Sequence, residues 1–187
     1  MNQNKFPFPD KESSMGILKN DPCYGKIPAD RVEDVFEDAW ATGLEEAHKF
    51  IFEYCQDSDF NMVDILKKLG FEIIHQDIDY VMGNIRYFCE YFPEKNQIYI
   101  YNKGIDLWAA SNGLEPEQSK NIILAHEFFH YLEAKRLGWI SKRCLVPMLK
   151  IGKLTFGKTG IAALSEVAAN AFANKYYSAY INYLAND

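Results

Sequence analysis

Three runs decide how this chain is read: Phe71–Ile78 (FEIIHQDI), Ile85–Phe92 (IRYFCEYF) and Gln97–Asn102 (QIYIYN). All are rich in β-branched and aromatic residues, the side chains that suit a pleated surface. Met82-Gly83-Asn84 and Pro93-Glu94-Lys95-Asn96 separate them with turn-forming residues. In the third run Ile98 and Ile100 fall on one face of an extended chain, Tyr99 and Tyr101 on the other. The pattern predicts a small antiparallel sheet of about three strands.

On either side of these runs the period changes from two to between three and four. Val32, Val35, Phe36, Ala39, Trp40, Leu44, Ala47, Ile51, Tyr54 and Cys55 mark one face of a helix that begins near Asp30. Gly43 lies on that apolar stripe, where close packing of a neighbour would explain it. A shorter helix spans about Met62 to Leu69 and stops at Gly70. After the strands, a helix runs from Pro116 to about Leu137, with Gly138 just past its end, and a last one from about Ile161 to Leu184. Helices, strands and helices again make an α+β fold. Residues 1–28, with prolines among scattered polar residues, read as an extended N-terminal arm, and 29–187 as a single domain.

Composition narrows the classes of function. Of 187 residues 48% are apolar, enough for a packed core, and the net charge of −6 gives no general footprint for nucleic acid. No run of apolar residues is long enough to span a membrane. The N-terminal residues lack the charged-then-apolar order of a secretion signal, so the expectation is a cytoplasmic protein. Cys23, Cys55, Cys89 and Cys144 are widely spaced, without a CxxC pair, and read as free thiols.

Chemistry is concentrated in His126-Glu127-Phe128-Phe129-His130, an HExxH. Histidines at i and i+4 share a helical face, with Cβ atoms about 5–6 Å apart, so both imidazoles reach one metal ion. The intervening glutamate can hold a water beside that metal and accept its proton. Ile122-Ile123-Leu124-Ala125 before the motif is wholly apolar, which predicts a helix buried on most sides. Buried imidazoles need partners, and a metal serves both.

A third protein ligand has to come from elsewhere. The extension HExxHxxGxxH is absent, since Glu133 and Arg136 stand at its glycine and histidine positions. His48 and His75 read as ordinary core or surface histidines. In the last helix, Ile161–Ala173 (IAALSEVAANAFA) is polar only at Ser165, Glu166 and Asn170, and Glu166 and Asn170 share a face. Its alanines would allow a close helix–helix approach. A carboxylate buried there must be paired or bind metal, whereas one on a solvated stripe need do neither.

With these residues in place, the chain resembles the ImmA/IrrE-type zinc metallopeptidases, a gluzincin-like group, from about Met62 to Ala173. The likeness rests on LKKLGFEIIHQDI, NQIYIYNKG, LAHEFFHYL and EVAANAFA. The family pairs HExxH with a downstream E-x-x-A-[ND]-x-F-A, which Glu166, Ala169, Asn170, Phe172 and Ala173 match. The ending that follows, Asn174-Lys175-Tyr176-Tyr177-Ser178, departs from the usual pattern. The resemblance implies a zincin-like domain whose sheet packs against the HExxH helix and flanking helices. It implies Zn2+ held by His126, His130 and Glu166, Glu127 as general base, and Asn170 orienting a histidine. It also implies a cytoplasmic peptidase whose protein substrate is a DNA-binding repressor; charge and the absence of a long apolar run add the expectation of no direct nucleic-acid or membrane partner.

Two further expectations concern substrate. Gln97–Asn102 is a candidate edge strand on which a substrate could add itself, the alternative being an internal strand. Tyr131, Tyr176, Tyr177 and Tyr180 are candidate oxyanion donors, with none singled out. Between Glu133 and Glu166 lie seven basic residues and no acidic one, so a +7 segment is joined to a remainder at −13. It is either a solvated loop or a positive rim for an acidic stretch of substrate. The competing class of function is a non-proteolytic zinc-binding regulatory or antitoxin-like module.

Overall fold

A single aspartate near the start already departs from the expected extended arm. The computed structural model describes residues 7–55, 60–92, 94–152 and 154–185. In it Asp10 caps a helix, α1 (Lys11–Lys19), by accepting a hydrogen bond from the Ser13 amide at 2.8 Å. The cap satisfies an amide that the first helical turn otherwise leaves without a partner. Ser14 and Leu18 are buried on α1. Farther on, Asp21 accepts from the Ala163 amide at 3.0 Å. Capping and burial, which composition does not register, make 10–28 part of the packed structure; residues 1–6 lie outside the described range.

The remaining elements are α2 (Val32–Tyr54), α3 (Met62–Lys68), β1 (Glu72–Gln76), β2 (Tyr80–Met82), β3 (Ile85–Tyr87), β4 (Cys89–Phe92), β5 (Gln97–Tyr101), α4 (Asn102–Asn112), α5 (Pro116–Leu132), β6 (Val146–Ile151), β7 (Leu154–Thr159) and α6 (Ala162–Leu184). The fold is therefore mixed α+β with small sheets. The chain divides into two compact units, Met1–His48 with Phe129–Lys175 and Lys49–Phe128 with Tyr176–Asp187, and passes between them inside α2, α5 and α6.

The second unit holds the strands that the sequence brought forward, in a different arrangement. Ile85–Phe92 is two strands, not one. Its first half, β3, pairs antiparallel with β2 across a two-residue turn, Gly83-Asn84, where Gly83 takes the positive φ of 62° that such turns require. The second half, β4, forms an antiparallel hairpin with β5, and β1 pairs with the other side of β5 in parallel. The three-stranded sheet is thus mixed, in the order β1-β5-β4. Gln97–Asn102 is therefore no edge: β5 is the central strand, with Ile98, Ile100 and Tyr101 buried. The tyrosine on the expected outer face is buried because its hydroxyl bonds Glu90 and its ring packs on Tyr80. Helix α4, which follows directly, ends at Gly113 in the left-handed conformation (φ 65°). Gly70 (φ 87°) closes α3 as expected. Near the end of α6, Tyr176 and Tyr180 pack on Phe60, and the Tyr176 hydroxyl donates to the Phe60 carbonyl.

The first unit is mostly helical. A Cβ added at Gly43 of α2 would lie 2.0 Å from the Ala168 carbonyl oxygen and 2.8 Å from the Ala171 Cβ. Only glycine facing the alanines of α6 permits this approach, as the stripe predicted. Helix α5 ends in a π-helical turn, Glu133–Leu137, before β6 and β7 pair as an antiparallel hairpin. Their ladder, with Leu149 opposite Phe156 and Ile151 opposite Leu154, replaces the loop reading of this segment.

Candidate metal centre

Helix α5 sets the first two groups by spacing alone. His126 and His130 stand one turn apart, His126 largely buried and the His130 side chain 26% exposed. Within the first unit, α6 brings the Glu166 Oε1 to 3.5 Å from the His130 Nε2. Ligand-capable atoms of His126, His130 and Glu166 all lie within 4.8 Å of one another. The expected trio therefore converges. Glu166 is not the buried carboxylate that the apolar stretch suggested, because its side chain is 50% exposed. An exposed carboxylate has no need of metal for solvation, so convergence on the histidines, not burial, is what marks it.

The residue that grips His130 is Glu133, which the sequence did not mark as a site residue. Glu133 follows His130 by three positions and its side chain is wholly buried. One carboxylate oxygen lies 2.9 Å from the His130 Nδ1. The other accepts from the Ser165 hydroxyl at 2.7 Å and from the Ile140 amide at 2.8 Å. Ser165 in turn accepts from the Ser141 amide at 3.2 Å. A carboxylate that accepts from Nδ1 leaves Nε2, the atom facing Glu166, as the ring nitrogen open to a metal. This carboxylate–histidine pairing fixes ring orientation and tautomer as it does around metal ligands in general. The i,i+3 spacing from His130 was a visible signal. The π turn that tucks Glu133 inward was not, and such turns recur at functional sites.

Asn170, expected to orient a histidine, is buried but donates its amide to the Ser14 hydroxyl at 3.4 Å. Among the described contacts the histidine's orienting partner is Glu133. His75 contacts Asn102 through Nδ1 at 3.2 Å and His48 is exposed on α2; neither belongs to the converging group. Tyr176 is committed to the Phe60 carbonyl and Tyr180 to Asn121, which makes both packing residues.

Glu127 follows His126 on α5 and is half-buried. Its charge is felt by Cys89 on β4: burial first, then the Glu127 and Glu90 carboxylates, push that thiol well above its ordinary range. Cys89 is thus a neutral, inert side chain beside the motif. All four cysteines are free, and Cys55, Cys89 and Cys144 are buried, as expected.

Two histidines and a carboxylate are a donor set that zinc accepts, and three protein ligands leave a coordination position open, the composition of a catalytic site. Family models, curated proteins and solved structures were all compared with the chain, and none matches it.

Proposed function

We propose that this chain is a zinc-dependent peptidase of the ImmA/IrrE type, with a zincin-like domain, acting on a specific protein substrate. The single observation that carries the reading is the convergence of His126, His130 and Glu166, with Glu127 next to the first ligand on the same helix. Glu133 supports it: a buried carboxylate on Nδ1 leaves Nε2 available for a metal. His126 and His130 on α5 and Glu166 on α6 would hold the ion. When bound, zinc polarises a carbonyl group and lowers the pKa of water to about 7.

The chain's own residues supply the rest. Glu127 accepts a proton from the attacking water and passes it to the leaving amine, as a general base and then a general acid. Glu133 keeps the His130 ring from rotating, so the Nε2 lone pair stays directed. Ile122–Ala125, Phe128 and Phe129, which surround the motif in sequence, are buried. By the same resemblance the substrate is a DNA-binding repressor, cleaved in the cytoplasm.

Two measurements test this reading. The purified chain should carry about one zinc per molecule, lost in His126→Ala; less than about half an equivalent in the wild type would remove the site. Glu127→Gln should keep its zinc and lose about 100- to 10,000-fold in hydrolysis. A Glu127→Gln chain that binds zinc and matches wild type in every assay would instead assign a non-proteolytic metal-binding module.

A further inference from the structure

The hairpin β6–β7 joins the helix that carries His130 to the helix that carries Glu166, and it belongs to the same unit as those two residues. Its base is anchored by Val146, which is buried. Away from the base, Leu149, Leu154 and Phe156 are 53%, 64% and 50% exposed. Leu149 is directly opposite Phe156, and Leu154 lies two positions along, so the three share one face. Met148, on the opposite face, is exposed too. Exposed apolar clusters of this kind on a hairpin signal an interaction site.

Charge says what kind. Seven cations lie between Glu133 and Glu166, and among the described ones Arg136 pairs with the buried Glu46 and Arg143 with Asp38 at 3.0 Å. Among the described side chains, Lys135, Lys142 and Lys158 have no acidic partner, and the sequence places Lys150 and Lys153 in the same segment. Lys26 joins them, its ammonium donating to the Met148 carbonyl at 2.9 Å.

We propose that this hairpin is the docking strand for an extended acidic segment of the protein substrate, which adds to a free edge of β6 or β7. The inference rests on the peptidase reading and names its substrate class. Three occupants could cover such a face, and two are disfavoured by what is described. Among the described residues the sheet is two-stranded, so each strand has an edge with no strand beside it, and on β6 the Met148 carbonyl is taken by Lys26. Lipid cannot satisfy open edges, whereas an added strand satisfies them with its own backbone. A second copy of the hairpin would bring one lysine cluster against another. An acidic, partly apolar polypeptide meets all three features: backbone groups for the edge, apolar side chains for the Leu149 face, and carboxylates for the lysines. β5, the expected docking strand, has both edges occupied and cannot serve.

The test is fluorescence anisotropy with two labelled peptides, one alternating Glu and Val, the other alternating Lys and Val, titrated with zinc-loaded Glu127→Gln so that no cleavage intervenes. The acidic peptide should bind at least about 10-fold more tightly than the basic one at low salt, and the difference should shrink as salt rises. Leu149→Ser with Phe156→Ser, and separately Lys158→Glu, should each weaken it by about 10-fold with an unchanged circular dichroism spectrum. Equal binding of the two peptides, or full binding by the hairpin variants, overturns the proposal. So does capture by phosphatidylglycerol vesicles without peptide binding, or a dimer that Leu149→Ser dissolves. A chain that binds the acidic peptide but takes up no zinc keeps the docking strand and loses the peptidase reading, so the two failures are distinguishable.

Discussion

Two glutamates approach His130 from different regions, and their environments are opposite. Glu133, in the π turn, is wholly buried and makes three hydrogen-bonding contacts, to His130, Ser165 and the Ile140 amide. Glu166, on α6, is half exposed and faces the other nitrogen of the same ring at 3.5 Å. A carboxylate locked by three partners holds a ring in place. One with solvent on one side can exchange its contacts for an ion. On the proposed reading the difference assigns Glu133 to the architecture of the site and Glu166 to metal binding, although one residue type serves both.

The largest expected effect breaks the comparison on the metal side. Glu166→Ala should weaken zinc binding by more than about 100-fold, and Glu133→Ala by about 10- to 100-fold, in competition titrations with a chromogenic chelator. Equal losses would make the distinction between ligand and orienting residue untenable. Next comes stability of the metal-free chain. Glu133→Ala leaves the Ile140 amide and the Ser165 hydroxyl without their acceptor, and should cost about 3 kcal/mol in urea unfolding. Glu166→Ala should change it by less than about 0.5 kcal/mol, as for exposed positions generally. Ser165→Ala sharpens the contrast at a smaller scale: about 1 kcal/mol, with zinc affinity following Glu133→Ala in direction but not in size.

The smallest effect sets the two glutamates against titratable groups of the second unit. There Cys89, Tyr177 and Tyr180 all have pKa values raised by burial, and Tyr101 is raised by burial and by its bond to Glu90. A raised pKa means that the fold favours the neutral form. Its contribution is fully present below the unfolded value and is lost as pH climbs through the folded one. Stability should therefore fall gradually from about pH 9 upward, more steeply in wild type than in Tyr177→Phe. A wild type that is flat between about pH 9 and 11 would contradict this. Cys89 should also resist iodoacetamide in the folded chain, since the thiolate is the reactive form.

Much of the fold was legible because helices and their ends are local. Gly70 and Gly138, the proline opening α5, and the Gly43 stripe each report on neighbours within a few residues or on one face. Strand pairing is not local, and there the reading slipped. The sequence showed that Gln97–Tyr101 is extended but not that β1 would pair with it in parallel, turning an expected edge into the centre. The hairpin β6–β7 and the helix α4 escaped notice because neither has a clean period. The cap at Asp10 rests on a single side chain, which the proline-rich composition of residues 1–28 does not register.

The sequence by itself determined the pair His126 and His130, with Glu127 beside them, because helical spacing fixes which residues share a face. It also marked Glu166 as a candidate. Tertiary structure alone decided that Glu166 reaches His130 while half exposed, that Asn170 turns to Ser14, and that Glu133 is the buried carboxylate behind the histidine. The reason is physical. Contacts within a turn follow from the 3.6-residue period, whereas burial and long-range pairing depend on which surfaces the whole chain packs together.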